Sequence, residues 1–199
     1  DEYHARSLVQ VGDTAVSCMP AYSLGTRIAG PYLDNRISCA AILEALGLIR
    51  AHTSDLYFVF TAQEELGLRG SKPAAYNIDP DYGIVVDVTV ARELDDLQKG
   101  TSVLGCGAAI KVMDSSVICH PEMVEVLEKT ALSSDIPCQR DVLKSGGTDG
   151  GSIHLSRAGV ITGGISVPCR YVQSPVEMVE VSDVSAVAHL IAEFSMKTL

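Results

Sequence analysis

Residues 57–67 read YFVFTAQEELG, and the interpretation of the whole chain depends on this stretch. Residues 57–61 form an unbroken run of aromatic and β-branched side chains, which predicts a strand buried on both faces. The run is followed by two adjacent carboxylates, Glu64 and Glu65. In an open α/β sheet the carboxyl ends of the strands face the ligand crevice, so this acidic pair is a candidate site. The alternative is a solvated acidic turn, since Glu is mostly exposed.

Composition limits the class of protein. The chain has 199 residues, 47% of them hydrophobic, which suits one globular domain. It carries 15 basic and 25 acidic residues, for a net charge of -10, so neither nucleic acid nor an anionic membrane is expected as a partner. No apolar run approaches the roughly 20 residues of a membrane span, and the first ten residues lack a signal-peptide pattern. The protein is therefore expected to be cytoplasmic, with its six dispersed cysteines reduced.

Strands and helices alternate along the sequence. After residues 57–61, strands are predicted at residues 82–88, 108–113 and 160–167, and the main helices at residues 37–49, 121–133 and 182–196. Residues 7–17 alternate weakly and predict a short hairpin or edge strand, and residues 89–107 are predicted to be a polar loop. This order predicts an α/β fold, a three-layer α/β/α sandwich with a mostly parallel, mixed central sheet.

Two further acids occupy places comparable to the Glu64-Glu65 pair. Asp34 precedes the helical pattern that starts near residue 37, where it could also serve as a helix N-cap. Asp87 interrupts the apolar run at residues 82–88, where an acid is costly unless it is hydrogen-bonded or holds a metal. Carboxylates at several segment ends suit hydrolysis assisted by one or two divalent metal ions. A free carboxylate beside such ions can act as general base on the attacking water.

Several motifs in this chain resemble those of the M42 metallo-aminopeptidases, which include glutamyl aminopeptidases and tetrahedral aminopeptidases. The matching motifs are VGD at residues 11–13, LDNR at 33–36, EELGLRG at 64–70, VVD at 85–87, GTD at 147–149 and RYVQSPVE at 170–177. They follow in the family's order over nearly the whole chain. The resemblance implies a zinc-peptidase-like fold and release of amino-terminal residues from peptides.

The resemblance also implies roles for the four acids. Asp34 would bridge two metal ions, and the peptide bond after it can be cis in related hydrolases. Glu64 would be the general base and Glu65 a metal ligand, while Asp87 would hold the other ion. The implied cofactor is a pair of divalent metal ions, zinc or cobalt, with manganese as a further choice.

Three other residues receive substrate-side roles from the resemblance. Asp149 corresponds to a family position near the substrate, although it could equally be the N-cap of the helix that follows. Arg170 and Tyr171 are expected to shape the wall of the site. The glycine-rich residues 145–151 lack Walker and dinucleotide spacing, so a nucleotide site is not predicted.

The sequence departs from the family at both neutral metal ligands. The family's first metal-binding histidine lies before its inserted domain and has no counterpart here, and His4 lacks the family's His-x-Asp setting. The last ligand, a histidine in the family, is replaced by Gln173, whose amide is a poor substitute for imidazole on zinc. Residues 1–30 are interpreted as a remnant of the inserted, dimerisation domain or as an edge hairpin, and residues 31–199 as the catalytic domain.

Three hypotheses remain open from the sequence. The first is an M42-type metallo-aminopeptidase acting on peptides, present either as a fragment or as a divergent form, with its activity in question because two ligand histidines are missing. The second is a catalytically inactive relative with a binding or assembly role. The third is another metal-assisted hydrolase on the same scaffold, acting on a glycan or an acylated amine, since fold does not determine substrate. Family members are homo-oligomers that build shells through the inserted domain, so such a shell is not expected of this chain.

Overall fold

The computed structural model describes residues 1–93 and 102–197, which contain six helices and eight strands. The helices are α1 (Glu2–Leu8), α2 (Leu33–Leu48), α3 (Ser71–Ile78), α4 (Pro121–Ser133), α5 (Gly150–Ile153) and α6 (Val181–Ser195). The strands are β1 (Tyr22–Leu24), β2 (Arg27–Gly30), β3 (Tyr82–Arg92), β4 (Ser102–Val103), β5 (Ala108–Met113), β6 (Cys138–Val142), β7 (Ile161–Arg170) and β8 (Glu177–Glu180). A single 3-10 turn covers Glu64–Leu66.

The strands form one mixed sheet, as predicted. Its order is β1-β2-β8-β7-β3-β4, with β5 pairing both β7 and β6. The β3–β7, β3–β4 and β5–β6 pairs are parallel, whereas the pairs at the β1 side of the sheet and the β5–β7 pair are antiparallel. The β3–β7 pair is the longest, with residues 82–90 aligned to residues 161–169. It therefore forms the rigid centre from which the site is built.

Helices cover both faces of the sheet. A Cβ placed on Gly83 of β3 would lie 2.7 Å from Ile153 of α5, whereas one on Gly163 of β7 would lie 2.9 Å from Met123 of α4. Ile84 pairs with Gly163, and adjacent residues of a strand point to opposite faces, so α4 and α5 lie on opposite sides. Helices α2 and α4 both contact α6, and α3 contacts α5. The predicted three-layer α/β/α architecture is confirmed.

A fully buried ion pair connects strands of the sheet. Lys111 Nζ lies 2.6 Å from Asp141 Oδ2, and their side chains are 0% and 1% exposed. The same carboxylate accepts hydrogen bonds from Thr89 Oγ1 at 2.9 Å and from Ser102 Oγ at 2.8 Å. Four strands, β3, β4, β5 and β6, are thereby connected through one buried acid.

Three local predictions are wrong. Residues 57–61 form no strand: Tyr57 is 64% exposed and Phe60 is 50% exposed, and no strand lies beside them within the described residues. Residues 7–17 contain the end of α1 and irregular chain, and the hairpin lies later, at β1 and β2. In the described parts of residues 89–107, β3 extends to Arg92 and β4 follows; residues 94–101 of the predicted loop lie outside the described residues.

The physical reason is shared. Strand propensity measures how a side chain fits a pleated, half-buried surface, so it takes effect only where a partner strand is present.

Within the described residues, no helix has both the length and the apolar character needed to cross a membrane.

Candidate active site

Asp34 lies at the entrance to α2. Asp34 and Asn35 have non-helical backbone angles, and the peptide bond between them is cis, as the resemblance implied. The cap residue of α2 is Tyr32, and no side chain caps the helix, so the predicted capping role of Asp34 is wrong. The Asp34 N–H donates to Glu177 Oε2 at 2.9 Å. Burial, followed by repulsion from Glu65 and Glu177, raises the pKa of Asp34 to about 6.

Glu64 and Glu65 begin the 3-10 turn. The turn is flanked by two residues with positive φ, Gln63 at 61° and Gly67 at 106°. Such a sharp turn presents the two adjacent carboxylates in different environments: Glu64 is half-buried, whereas Glu65 is exposed. Burial, followed by repulsion from Glu65 and then from Asp149, raises the pKa of Glu64 to about 7.

Asp87 lies within β3 and not at its end, because the strand continues for five further residues. Its side chain is buried, and its Oδ1 accepts a hydrogen bond from the Val88 N–H at 2.8 Å. Burial raises the pKa of Asp87 to about 8; the Val88 hydrogen bond and Lys111 oppose this shift, while Asp34 and Glu64 reinforce it. An acid this costly to ionise calls for a compensating positive charge.

The four acids, Asp34, Glu64, Glu65 and Asp87, face one cleft of about 910 Å³ and are called the acidic cluster below. Asp34 is repelled by Glu65, Glu64 by Glu65 and Asp34, and Asp87 by Asp34 and Glu64. Each member is thus within electrostatic reach of at least one other, although the chain separates the first from the last by more than fifty residues. Mutual repulsion among buried carboxylates favours either protonation or a bound cation.

A divalent metal ion fits the acidic cluster in its chemistry. Carboxylate oxygens are hard ligands that suit divalent cations, and a cation would relieve the repulsion that raises these pKa values. Within residues 1–93 and 102–197, however, no three His, Cys, Asp or Glu side chains converge closely enough to hold an ion. The described residues therefore supply acidic donors without a complete ligand set.

Gln173 stands where the resemblance places the last metal ligand. Its side-chain Nε2 donates to Glu65 Oε2 at 2.9 Å, and its backbone N–H donates to Glu177 Oε1 at 2.8 Å. The residue has a positive φ of 59°. An amide N–H group therefore already engages one oxygen of Glu65.

Asp149 joins the loop of Glu64 to the helices beside it. Its Oδ2 accepts a hydrogen bond from Thr61 Oγ1 at 2.6 Å, and its Oδ1 accepts one from Ser71 Oγ. The carboxylate lines the same cleft as the acidic cluster. It makes no capping hydrogen bond at α5. Its two hydrogen bonds instead connect the end of residues 57–61 with the start of α3.

Arg170 is the last residue of β7, and Tyr171 follows it. Arg170 Nη1 donates to Glu93 Oε1 at 3.0 Å, and its guanidinium stacks over the Tyr171 ring, 4.7 Å from the centroid. Arg27 binds the same Glu93 carboxylate at 2.7 Å. Neither Arg170 nor Tyr171 is among the described residues that line the cleft of the acidic cluster.

Sequence reasoning missed Glu177, which holds two loops of the site. It is 2% exposed, and each of its oxygens accepts one backbone N–H, from Asp34 and from Gln173. The available signal was an acid four residues after Gln173, at the first position of β8. Such an acid needs donors. Its partners could not be read from the sequence because Asp34 lies 143 positions away.

Comparison with known proteins finds that the chain is similar to aminopeptidases. A family model described as M42 glutamyl aminopeptidase matches residues 1–190. An aminopeptidase-like protein of Acetivibrio thermocellus is 43% identical over 189 residues, covering 95% of this chain and 57% of the relative. The solved aminopeptidase of the archaeon Desulfurococcus kamchatkensis is 37% identical with a TM-score of 0.94, covering 99% of this chain and 56% of that one.

A third comparison concerns assembly. The solved TET1 peptidase of Pyrococcus horikoshii, which can assemble into a tetrahedron or a large octahedral shell, is 27% identical with a TM-score of 0.82. It is covered over 58% of its length, while 99% of the present chain is matched. The chain thus spans somewhat more than half the length of each of these three proteins.

Proposed function

Because the chain belongs to the M42 family of glutamyl aminopeptidases, we propose that it carries the catalytic part of a metal-dependent aminopeptidase. Its substrate would be a peptide, from which one amino-terminal residue is removed at a time. The observation that carries this proposal is the acidic cluster, whose four members share one cleft and in which burial and neighbouring carboxylates raise the pKa of Asp34, Glu64 and Asp87. Perturbed carboxylates gathered in a cleft are typical of catalytic and metal-binding sites.

Asp34, Glu65 and Asp87 are the residues that would hold divalent metal ions, zinc or cobalt with manganese as a further choice. When bound, such ions would polarise the scissile carbonyl and lower the pKa of a water molecule. Glu177 supports this role indirectly, because its buried carboxylate orients the backbone at Asp34.

Glu64 would act as general base and then as general acid. Its carboxylate takes a proton from water as the water oxygen bonds to the scissile carbonyl carbon. It returns that proton to the amine nitrogen as the C–N bond breaks. A pKa of about 7 suits both steps at neutral pH, since a base works best when its pKa is near the working pH.

The test combines turnover with metal binding. Short peptides are incubated with the protein after addition of zinc or cobalt, and released amino-terminal residues are measured. Glu64→Gln is expected to lower kcat by roughly 10²- to 10⁴-fold, the usual contribution of a general base. Calorimetry should show metal affinity retained in Glu64→Gln, because Glu64 is not proposed as a ligand. Glu125→Gln, an exposed partner of Lys129, is the charge-matched control.

Two results would contradict the proposal. One is an absence of turnover with zinc, cobalt and manganese in the complete protein. The other is equal turnover by Glu64→Gln and Glu125→Gln.

A second candidate is a catalytically inactive M42 protein with a binding or assembly role. It is favoured by one contact, the hydrogen bond from Gln173 Nε2 to Glu65 Oε2 at 2.9 Å, which engages a proposed metal ligand. In that case elemental analysis should find less than one ion per chain, and Gln173→His should raise the occupancy. Unchanged occupancy in Gln173→His would show that the missing imidazole is not the limiting defect.

A further inference from the structure

The loop that carries Glu64 closes on itself. A Cβ placed on Gly70 would lie 2.5 Å from the carbonyl oxygen of Ala62 and 2.6 Å from its nitrogen, so the two ends of residues 62–70 touch. Any larger side chain at position 70 would push these ends apart, and glycine permits such a close approach of two backbone segments. Residues 62–70 are called the Glu64 loop below.

Hydrogen bonds within the backbone give the Glu64 loop its shape. The N–H groups of Gly67 and Leu68 both donate to the Glu64 carbonyl, at 3.0 and 2.9 Å. The Arg69 N–H donates to the Gln63 carbonyl at 3.3 Å. Gln63 and Leu68 have positive φ values of 61° and 57°. Non-glycine residues adopt this conformation at an energetic cost, so surrounding contacts must maintain it.

The side chains of the Glu64 loop lie mostly in solvent. Each side chain of the described residues 62–70 is exposed or half-buried, and that of Leu66 is 60% exposed. Segments with few buried apolar contacts open most easily. The direction in which the Glu64 carboxylate points therefore depends on the polar contacts at the two ends of the loop.

One carboxylate binds both ends of the loop. Asp149 Oδ2 accepts a hydrogen bond from Thr61 Oγ1, directly before the loop, at 2.6 Å. Its Oδ1 accepts a hydrogen bond from Ser71 Oγ, directly after the loop. Asp149 is 8% exposed and Ser71 is 2% exposed, so water competes little for these bonds. Hydrogen bonds to a charged acceptor are roughly twice as strong as those between neutral groups.

Ser71 and α5 extend these contacts into the loop. Ser71 Oγ lies 3.1 Å from the Leu68 carbonyl oxygen and 2.6 Å from Ser152 Oγ of α5. A Cβ placed on Gly151 would lie 3.1 Å from Leu68 Cδ1, so the loop also packs on the backbone of α5. Asp149 immediately precedes α5 and therefore connects the Glu64 loop to this helix.

We propose that Asp149 is a positioning residue for Glu64: by binding Thr61 and Ser71 together, it keeps the Glu64 loop closed and fixes the direction of the Glu64 carboxylate. The inference rests on the proposed function of Glu64 only for its effect on turnover. It differs from the substrate-side role implied by the resemblance, since each oxygen of Asp149 already accepts a hydroxyl group. A displacement of about 1 Å in a catalytic arrangement can cost about 10²-fold in rate.

Hydrogen exchange tests the loop without turnover. In the metal-free Asp149→Ala variant, the amides of Gly67, Leu68 and Arg69, called the loop amides below, should exchange at least about tenfold faster, because both end contacts are lost. Amides of α4, on the opposite face of the sheet, should keep their rates. This comparison separates opening of the loop from a general loss of stability.

A second variant keeps the test decisive if Asp149→Ala does not fold. Thr61→Val removes one of the two end contacts at an exposed residue while retaining the shape of the side chain. The loop amides should exchange faster in this variant also, by less than in Asp149→Ala. Asp13→Ala is the matched control, because it removes an exposed aspartate that accepts one hydrogen bond, from the Gln10 N–H. It should leave the loop amides unchanged.

Asp149→Asn separates hydrogen bonding from charge. The amide oxygen of asparagine can still accept from Thr61 Oγ1, while its NH₂ group donates to Ser71 Oγ. The Ser71 hydroxyl can then donate to the Leu68 carbonyl, 3.1 Å away. Exchange of the loop amides in Asp149→Asn should therefore stay much closer to that of the unmodified protein than to that of Asp149→Ala.

Steady-state kinetics on short peptides measures the effect on Glu64. Asp149→Ala should lower kcat by roughly 10- to 100-fold and change KM by less than about threefold, because a displaced base slows proton transfer while substrate contacts remain. Asp149→Asn should recover most of kcat. If Asp149 contacted the substrate instead, KM would rise with kcat little changed.

Four outcomes would overturn the inference. They are unchanged loop amides in both Asp149→Ala and Thr61→Val, equal acceleration of the α4 amides, equal loss in Asp149→Ala and Asp149→Asn, and a rise in KM with kcat unchanged. Absence of turnover in the unmodified protein would contradict the proposed function alone, and the exchange of the loop amides would then decide this inference.

Discussion

Glu177→Gln tests whether one buried carboxylate holds the site together. The native side chain accepts two backbone N–H groups, from Asp34 at 2.9 Å and from Gln173 at 2.8 Å. Glutamine keeps one acceptor oxygen and presents an NH₂ group to the other donor, so one charged hydrogen bond is lost and one N–H is left unsatisfied. A hydrogen bond to a charged group contributes about 1.5–3 kcal/mol, so the free energy of unfolding should fall by roughly 2–3 kcal/mol.

Urea denaturation measures this loss as a lower midpoint with an unchanged m-value. Hydrogen exchange at the amides of Asp34 and Gln173 reports the local effect, and both should exchange faster. Glu125→Gln removes an equal charge from an exposed pair with Lys129 and should cost less than about 0.5 kcal/mol. If the two variants unfold at the same urea concentration and the two amides keep their protection, Glu177 does not hold these loops.

Two further perturbations address buried charge. The folded-state pKa of Asp87, about 8, lies above its ordinary value of 3.8. Below about pH 4, Asp87 is protonated in both the folded and the unfolded state and does not change the free energy of unfolding. As pH rises toward 8, only the unfolded state ionises freely, so the metal-free fold is increasingly destabilised. Asp87→Asn should raise the unfolding free energy at pH 8.5 by a few kcal/mol, at about 1.4 kcal/mol per pKa unit, and change it little at pH 4; equal effects at both pH values would contradict this. Lys111→Met should lower the free energy of unfolding in urea by about 3–5 kcal/mol, because it leaves the buried Asp141 carboxylate without its cation. Lys129→Met, at an exposed pair, should lower it by less than about 1 kcal/mol. Equal losses in the two variants would show that Lys111 does not stabilise the pair at Asp141.

The parts of the fold that could be predicted are those with local, periodic signals. The apolar run at residues 82–88 is β3, and the amphipathic pattern at residues 121–133 is α4, because burial on a sheet or helix face leaves a regular imprint in sequence. Residues 57–61 carry an equally strong signal but form no strand. Strand formation also requires a neighbouring strand, which no local pattern encodes.

The site shows the same division. The residue types and the order of the motifs identified four acids as candidates, and in the structure all four line one cleft: Asp34, Glu64, Glu65 and Asp87. The raised pKa values of Asp34, Glu64 and Asp87 depend on burial and on the distances to neighbouring carboxylates, which appear only in the folded chain. Glu177 was missed for a related reason. Its role is to accept hydrogen bonds from two backbone N–H groups, and one of these belongs to Asp34, far away along the sequence.

That distance has a consequence for synthesis on the ribosome. Asp34 and Glu177 are separated by 143 residues. At 5–20 residues per second, the growing chain exposes Asp34 for roughly 7–30 s before its partner is made. The entrance to α2 therefore lacks this hydrogen bond until residue 177 has been translated, and a nascent chain cannot assemble this end of the cleft earlier.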